Sequence, residues 1–297
     1  IESLRDTVTE LVRDYLQNAD PRRFDVIHDF SALFPVDVIT AMLGVPDEFR
    51  EELRTLVDKG IGNEPGEIDR SEAGIQAQIQ TAAYYYNLVQ ERRAQPANDM
   101  ISKLIAAEIE RDAGEISSLE DYEITLFAML LGGAGVSTVK NLVGNAVAIF
   151  AKHTDQWQKL LDDRAKIPAA VEELLRYDGP VLYNARWTLK DATLHGVTIP
   201  AGKPVLLCGA SANRDPSVFP DPDMFYIDRD HTLAQHFGFG TGIHTCLGAA
   251  LARIETAVAL EHMLEFMPRY EVIWEGCKRV NAINFTGWSH LPVRVLR

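Results

Sequence analysis

The 297-residue sequence predicts a mainly α-helical protein with small β-sheets, folded as a single domain over residues 1–297. Three observations carry that class. Helical periodicity fills most of the chain as far as Gly179. A period near two is confined to 185–207 and to a short closing run, 291–296. No internal repeat or low-complexity linker divides the chain, and its 46% apolar content can supply a large core.

The elements follow in order. Ile1, Leu4, Val8, Leu11, Val12 and Tyr15 share one face of a first helix. A second spans 36–43, after Pro35, and stops at Gly44-Val45-Pro46. Residues 60–66 read as a polar loop, 71–93 as a helix and 98–110 as another short helix. Ser118 with Asp121 suggests a capping box that opens a long helix running to about Lys152. Gly132, Gly133 and Gly135 sit in its middle, where each interior glycine costs about 1 kcal/mol against alanine. Either the backbone bends or admits something flat there, or two helices pack closely; both readings stay open. Pro168 begins a helix where its missing N–H costs least, and Asp178-Gly179-Pro180 ends it. Trp187 and Leu189, Val197 and Ile199, then Val205 and Leu207 mark strands, with a turn at Pro200-Ala201-Gly202. Residues 215–239 read as an ordered meander, 246–267 as a helix and 291–296 as a closing strand.

A formal charge of −14 argues against nucleic-acid binding, which needs a basic footprint. No run of apolar residues long enough to span a bilayer is free of charges or glycine clusters, so no membrane segment is predicted. The opening Ile1-Glu2-Ser3-Leu4-Arg5 has neither an initiator Met nor a signal-peptide pattern, and predicts that an N-terminal segment precedes it. Cys208, Cys246 and Cys277 are too few for a disulfide scaffold and suit a reducing compartment, the cytoplasm. Cys208 lies in an apolar stretch and is expected to be a small buried hydrophobe. Cys277 is expected in a loop.

Cys246 differs by its neighbours, Phe239-Gly240-Thr241-Gly242-Ile243-His244-Thr245 before it and Leu247-Gly248 after it. A thiol at a helix N-terminus faces unpaired amides and the positive end of the dipole, which favour thiolate, the iron-binding form. Gly248, Ala249, Ala250 and Ala252 leave room for a large flat partner. A buried structural cysteine, a zinc site using His236 and His244, and a nucleophile beside His244 are the alternatives. Zinc wants four ligands in paired spacings, which are missing.

Phe239, Gly242, Cys246 and Gly248 fill the pattern Phe-x-x-Gly-x-x-x-Cys-x-Gly, and the chain thereby resembles the cytochrome P-450 family. Glu173-Leu174-Leu175-Arg176 resembles the family's Glu-x-x-Arg motif. Ala134-Gly135-Val136-Ser137-Thr138 resembles its oxygen-activating helix turn. Ala212-Asn213-Arg214-Asp215-Pro216 with Phe219-Pro220-Asp221-Pro222 resembles the segment after the sheet in bacterial members. The resemblance covers essentially the whole chain and implies that it begins after the family's first quarter.

The resemblance implies a haem b cofactor, iron protoporphyrin IX, with Cys246 as axial and only metal ligand. It implies Phe239 beside the sulfur, His244 and Arg186 on the propionates, and Gly238, Gly240, Gly248, Ala252, Ala134 and Gly135 around the macrocycle. Thr138 and Ser137 would serve oxygen activation; the alternative for Thr138 is a hydroxyl bonded back to a helix carbonyl. Leu130, Gly133, Ala134, Val181, Leu182, Asn184 and Phe285 would meet substrate, and Glu173 and Arg176 would be structural. Two departures stand out. Ser137 replaces the family's usual acid, and Met224 stands where an arginine is common, which predicts an incomplete ion network. The implied activity is insertion of one oxygen atom from O₂ into a small apolar organic substrate. A ferredoxin-type donor and its reductase would supply electrons, since no flavin or nicotinamide motif occurs in the sequence. Peroxide-driven oxygenation and a non-catalytic haem sensor are the rival expectations.

Overall fold

The computed structural model describes residues 4–61, 71–111 and 114–296. Ile1 and most of the expected 60–66 loop lie outside them. Helix α1 (Arg5–Asn18) buries Val8 and Val12 of the expected face and adds Leu16, which the sequence reading left out, while Leu4, Leu11 and Tyr15 are partly buried beside them. Strand β1 (Phe24–Asp25) and a π-helical turn, Ile27–Ser31, lead into α2 (Phe34–Leu43). Pro35 stands in its first turn, and Gly44 ends it in the left-handed region at φ 84°. Helix α3 (Asp47–Ile61) keeps Gly60 helical, against the expected loop. Ser71 caps α4 (Glu72–Ala94) by accepting a hydrogen bond from Gly74 N at 3.1 Å.

The helix expected over 98–110 is shorter. Asp99 caps α5 (Met100–Ile105), and residues beyond it pair as a hairpin, β2 (Glu108–Glu110) with β3 (Ile116–Ser118). Ser118 therefore belongs to a strand and cannot cap the next helix. The capping pair is Glu120 and Glu123, with Glu120 N donating to the Glu123 carboxylate at 2.8 Å.

Helix α6 (Asp121–Lys152) is the axis of the fold. Every residue from Asn141 to Phe150 is buried, the pattern of a helix enclosed on all sides. By length and composition alone α6 could cross a bilayer, contrary to the expectation of no such segment. Here its C-terminal half packs against α2, α8 and α10 instead. One cluster of buried apolar residues surrounds that half, and a second joins its N-terminal half to α2, α3 and α4. Helix α7 (Thr154–Asp162) and α8 (Ile167–Asp178) follow, α8 with Pro168 in its first turn as expected.

Strands β4 (Asn184–Trp187), β5 (Ala192–Leu194), β6 (Val197–Ile199) and β7 (Pro204–Leu207) form two antiparallel pairs, β4 with β7 and β5 with β6. A helical turn, α9 (Gly209–Ala212), precedes the irregular meander, and α10 (Ala249–Phe266) follows it. The chain closes with β8 (Tyr270–Val272), β9 (Lys278–Arg279), β10 (Trp288–His290) and β11 (Pro292–Val295). Strand β11 lies between β1 and β8, with Phe24 opposite Val293 and Val293 opposite Val272. This sheet ties the start of the described chain to its end.

Candidate active site

Cys246 does not cap α10, as its motif suggested; Gly248 does, and the thiol stands two residues before it, exposed. The loop that presents it is closed by its own backbone. Cys246 N donates to Phe239 O at 2.9 Å, and Gly240 N to Phe237 O at 2.9 Å. Gly240 and Gly242 hold φ of 68° and 71°, a region closed to most side chains. A 3₁₀ turn, Gly242–His244, follows, and Thr245 N and Oγ1 both donate to Gly242 O.

What anchors this loop escaped the sequence reading. His236 is buried, its Nδ1 accepting from Gly238 N at 3.0 Å, so Nε2 carries the proton towards Glu172 Oε2 at 2.9 Å. Arg253 of α10 grips the same carboxylate through two nitrogens, at 2.6 and 2.9 Å, and lies 4.6 Å over the Phe239 ring. Burial alone would raise the Glu172 pKa, but the Arg253 and His236 hydrogen bonds outweigh it and hold it at about 2. Glu172 thus fastens the cysteine loop to α8 and α10 together. Gly238 has no room for a side chain, since a Cβ would sit 3.0 Å from both Leu175 O and His236 Nδ1. With His236 so engaged, it is not available to the zinc arrangement considered for His236, His244 and Cys246.

Apolar side chains beside the thiol in the chain are open to solvent. Ile243 is 99% exposed and Leu247 69%, with Phe237, Leu206 and Leu207 also open to solvent. Cys208 is exposed too, correcting the expected burial, because it follows β7 on a strand pair whose outer positions nothing covers. His244, in the 3₁₀ turn before the thiol, and Arg186, on β4, are exposed. Arg186 has no carboxylate within ion-pair distance among the described residues, and one of its nitrogens donates to Ala185 O.

On α6, Leu130, Ala134 and Thr138 follow one another at intervals of four and are open or half-open to solvent. Gly133 faces open space, whereas a Cβ on Gly132 would meet Tyr85 Oη at 2.5 Å and one on Gly135 would meet Ile39 at 3.3 Å. The helix is continuous through all three glycines, so close packing explains two of them and open access the third. Thr138 Oγ1 donates to Ala134 O at 2.8 Å, the back-bonded alternative. Ser137 is off this strip and buried. Val181 and Phe285 pair as a β-bridge, and Leu182 N donates to Asn284 O, which brings three of the expected substrate contacts together. Asn184 begins the exposed strand β4.

The comparisons decide what this constellation belongs to. The family model described as cytochrome P450 matches residues 68–273. Cytochrome P450 123 of Mycobacterium tuberculosis is 40% identical over 296 residues, covering 99% of this chain and 72% of that relative. The chain belongs to the cytochrome P450 family. Among solved structures, the open, histidine-tagged P450 Eryk of S. erythraea matches with a TM-score of 0.90 at 34% identity, over 99% of this chain and 74% of its own. P450BioI, in complex with an acyl carrier protein ligated to hexadec-9Z-enoic acid, matches with a TM-score of 0.89 at 33% identity, over 99% and 75%. The protein is therefore a cytochrome P450 monooxygenase of the bacterial type, with a cysteine-ligated haem b. The residues fit that cofactor. An uncovered thiol between the exposed apolar side chains of Ile243 and Leu247, with nitrogen groups of His244 and Arg186 open to solvent, suits an apolar macrocycle with two carboxylates.

The P450 Glu-x-x-Arg pair is wholly buried, with Arg176 Nε and Nη2 on the two Glu173 oxygens at 2.8 and 2.9 Å. The incomplete network expected from Met224 is a correction. Arg229 supplies the third member, its Nε 3.1 Å from Glu173 Oε2, while its other nitrogens take Pro220, Asp221 and Met224 carbonyls. Residue 229 therefore supplies the guanidinium, while Met224 is 55% exposed and contributes only its carbonyl. His231 Nε2 stands 3.5 Å from the same carboxylate, and burial lowers the pKa of its ring.

Proposed function

We propose that Cys246 is the axial ligand of the haem iron in a P450 that inserts one oxygen atom from O₂ into a small apolar organic substrate. The carrying observation is the exposed thiol on a glycine-closed loop, fixed to α8 and α10 through Glu172. Oxygen activation at iron is the chemistry the cofactor supplies when bound. Phe239, pinned between Arg253 and the core, packs beside the sulfur. Gly240, Gly248, Ala252 and Ala134 would leave space for the macrocycle, Gly238 and Gly135, whose Cβ directions are filled by Leu175, His236 and Ile39, would bring loop and helix backbone close to it, and Arg186 and His244 would hold its carboxylates. Thr138 Oγ1 donates its hydrogen bond to Ala134 O, which leaves its lone pairs free to accept one; to pass its own proton on, the hydroxyl would turn away from that carbonyl as it accepts another from solvent. Ser137 assists from the next position, and Leu130, Gly133, Val181, Leu182, Asn184 and Phe285 bound the substrate.

The whole chain acts as one domain, since α6 runs through both apolar clusters. Electrons come from a ferredoxin-type donor and its reductase, and the sparse cysteines favour the cytoplasm. The apolar substrate class draws support from the exposed Leu130 on the open strip of α6 and from the fatty-acyl complex of P450BioI. The test is the ferrous carbon monoxide spectrum. The thiolate-specific red-shifted band is expected in the native protein and lost in Cys246→Ser; its survival would remove Cys246 from the iron. Turnover with ferredoxin and reductase supports the oxygenase reading. Turnover with peroxide alone, or with neither, replaces it by a peroxide-driven enzyme or a haem sensor.

A further inference from the structure

His28 and His290 meet across 262 residues of chain with their Nε2 atoms 3.3 Å apart. Their ring centroids are 4.5 Å apart, with an interplanar angle of 65°. An in-line N–H···N bond would separate the centroids by a full ring width more than the nitrogens. The centroids fall short of that, so the rings are angled rather than in line, and a further turn of the two rings would let both Nε2 atoms reach one external ion. Two nitrogens bound tetrahedrally at about 2.0–2.1 Å from a zinc-like ion are themselves about 3.3 Å apart.

The arrangement is built in advance. Asp25 fixes both segments with one carboxylate, accepting from Ile27 N at 2.9 Å, His28 N at 3.2 Å and Leu291 N at 3.2 and 3.3 Å. Ile27 and Trp288 both press on Gly144 of α6, where a Cβ would lie 2.7 Å from Ile27 Cδ1 and 3.5 Å from Trp288 Cδ1. Ser289 Oγ is 3.4 Å from His290 Nδ1, which leaves Nε2 as the outward donor. His28 is exposed, so an ion can reach the pair. No three potential ligand side chains converge among the described residues, so water must complete any coordination shell.

We infer that His28 and His290 form a two-histidine site for a borderline divalent transition metal ion, of the nickel, copper or zinc class, which clips the Ile27–Ser31 turn to β10. Imidazole pairs suit this class, while magnesium and calcium prefer oxygen. Such a clip would favour the folded chain, because the two ligands come together only when both ends are docked.

The experiment uses the haem-loaded, tag-free full chain, freed of metal by a chelator, with Ni²⁺ alone as the probe. Calorimetry should find one equivalent bound per chain, and Ni²⁺ should raise the thermal midpoint. His28→Ala and His290→Ala should each weaken binding by about tenfold or more and cancel the thermal rise. His28→Gln, which keeps the bulk of the exposed side chain, should do the same, and His195→Ala, in the turn between β5 and β6, should change neither. Absence of binding up to millimolar Ni²⁺, or affinity unchanged in either alanine variant, overturns the proposal.

Discussion

Replacing Arg229 by methionine removes the third member of the buried network and leaves its apolar stem. The Arg229 side chain is 11% exposed and that of Glu173 0%, so the carboxylate cannot recover its lost partner from water. Deleting one member of a buried ion pair costs about 3–5 kcal/mol. Glu173 keeps both Arg176 nitrogens and the Tyr226 N–H at 3.0 Å, so the charge is not left alone. That puts the loss at the lower end, about 3 kcal/mol. At about 2–4 °C per kcal/mol, the thermal midpoint should fall by about 6–12 °C. Melting followed by circular dichroism and by haem absorption reads it, and Arg229→Lys should recover part of the loss through charge without the fork. A fall under about 2 °C in a correctly folded Arg229→Met protein would refute a structural role for this guanidinium.

Met224→Arg should change stability by less than about 1 kcal/mol, because Arg176, Arg229 and Tyr226 N already occupy both Glu173 oxygens and position 224 is exposed; melting curves decide this. Glu255, buried in α10, has its pKa pushed well above the usual carboxyl range by desolvation. The folded state therefore holds a proton the unfolded state releases, and stability falls as pH rises above the unfolded value near 4.3. Glu255→Gln should remove that slope, so its melting advantage over the native protein should grow from pH 5 to pH 8. Ser137→Asp should raise product formed per electron consumed, since a serine hydroxyl passes protons but cannot store them. An unchanged ratio with fold and haem intact would show that protons arrive by another route. Cys246→Ser and the carbon monoxide spectrum complete the set.

Much of the fold was legible because its signals are local. Val8 and Val12 show the helical stripe of α1, Pro168 marks the start of α8, and Gly44 marks the end of α2. The missed elements are those whose evidence is distant. Glu108–Glu110 is a strand only because Ile116–Ser118 lies beside it, and β1 exists only against β11. In the site, Cys246 was readable from its glycines, but Glu172, His236 and Arg253 are ordinary residues until folding brings together three segments. Arg229 was missed for the same reason. Sequence position 224 suggested where the guanidinium should begin, but what matters is where it ends. Cys208 shows the converse error, since an apolar neighbourhood in sequence became an uncovered surface in space.

The buried network reads the meander through backbone oxygens. Arg176 takes the carbonyls of Asn213, Pro222 and Met224, and Arg229 those of Pro220, Asp221 and Met224. A carbonyl is present whatever the side chain, so these contacts are blind to residue identity at the positions that make them. Mutation can therefore drift through much of this irregular stretch while the grip persists, provided the chain keeps its path. The burden of inheritance falls on three side chains, Glu173, Arg176 and Arg229, and a library that randomises the exposed meander positions around them should retain folded members far more often than one that touches the trio.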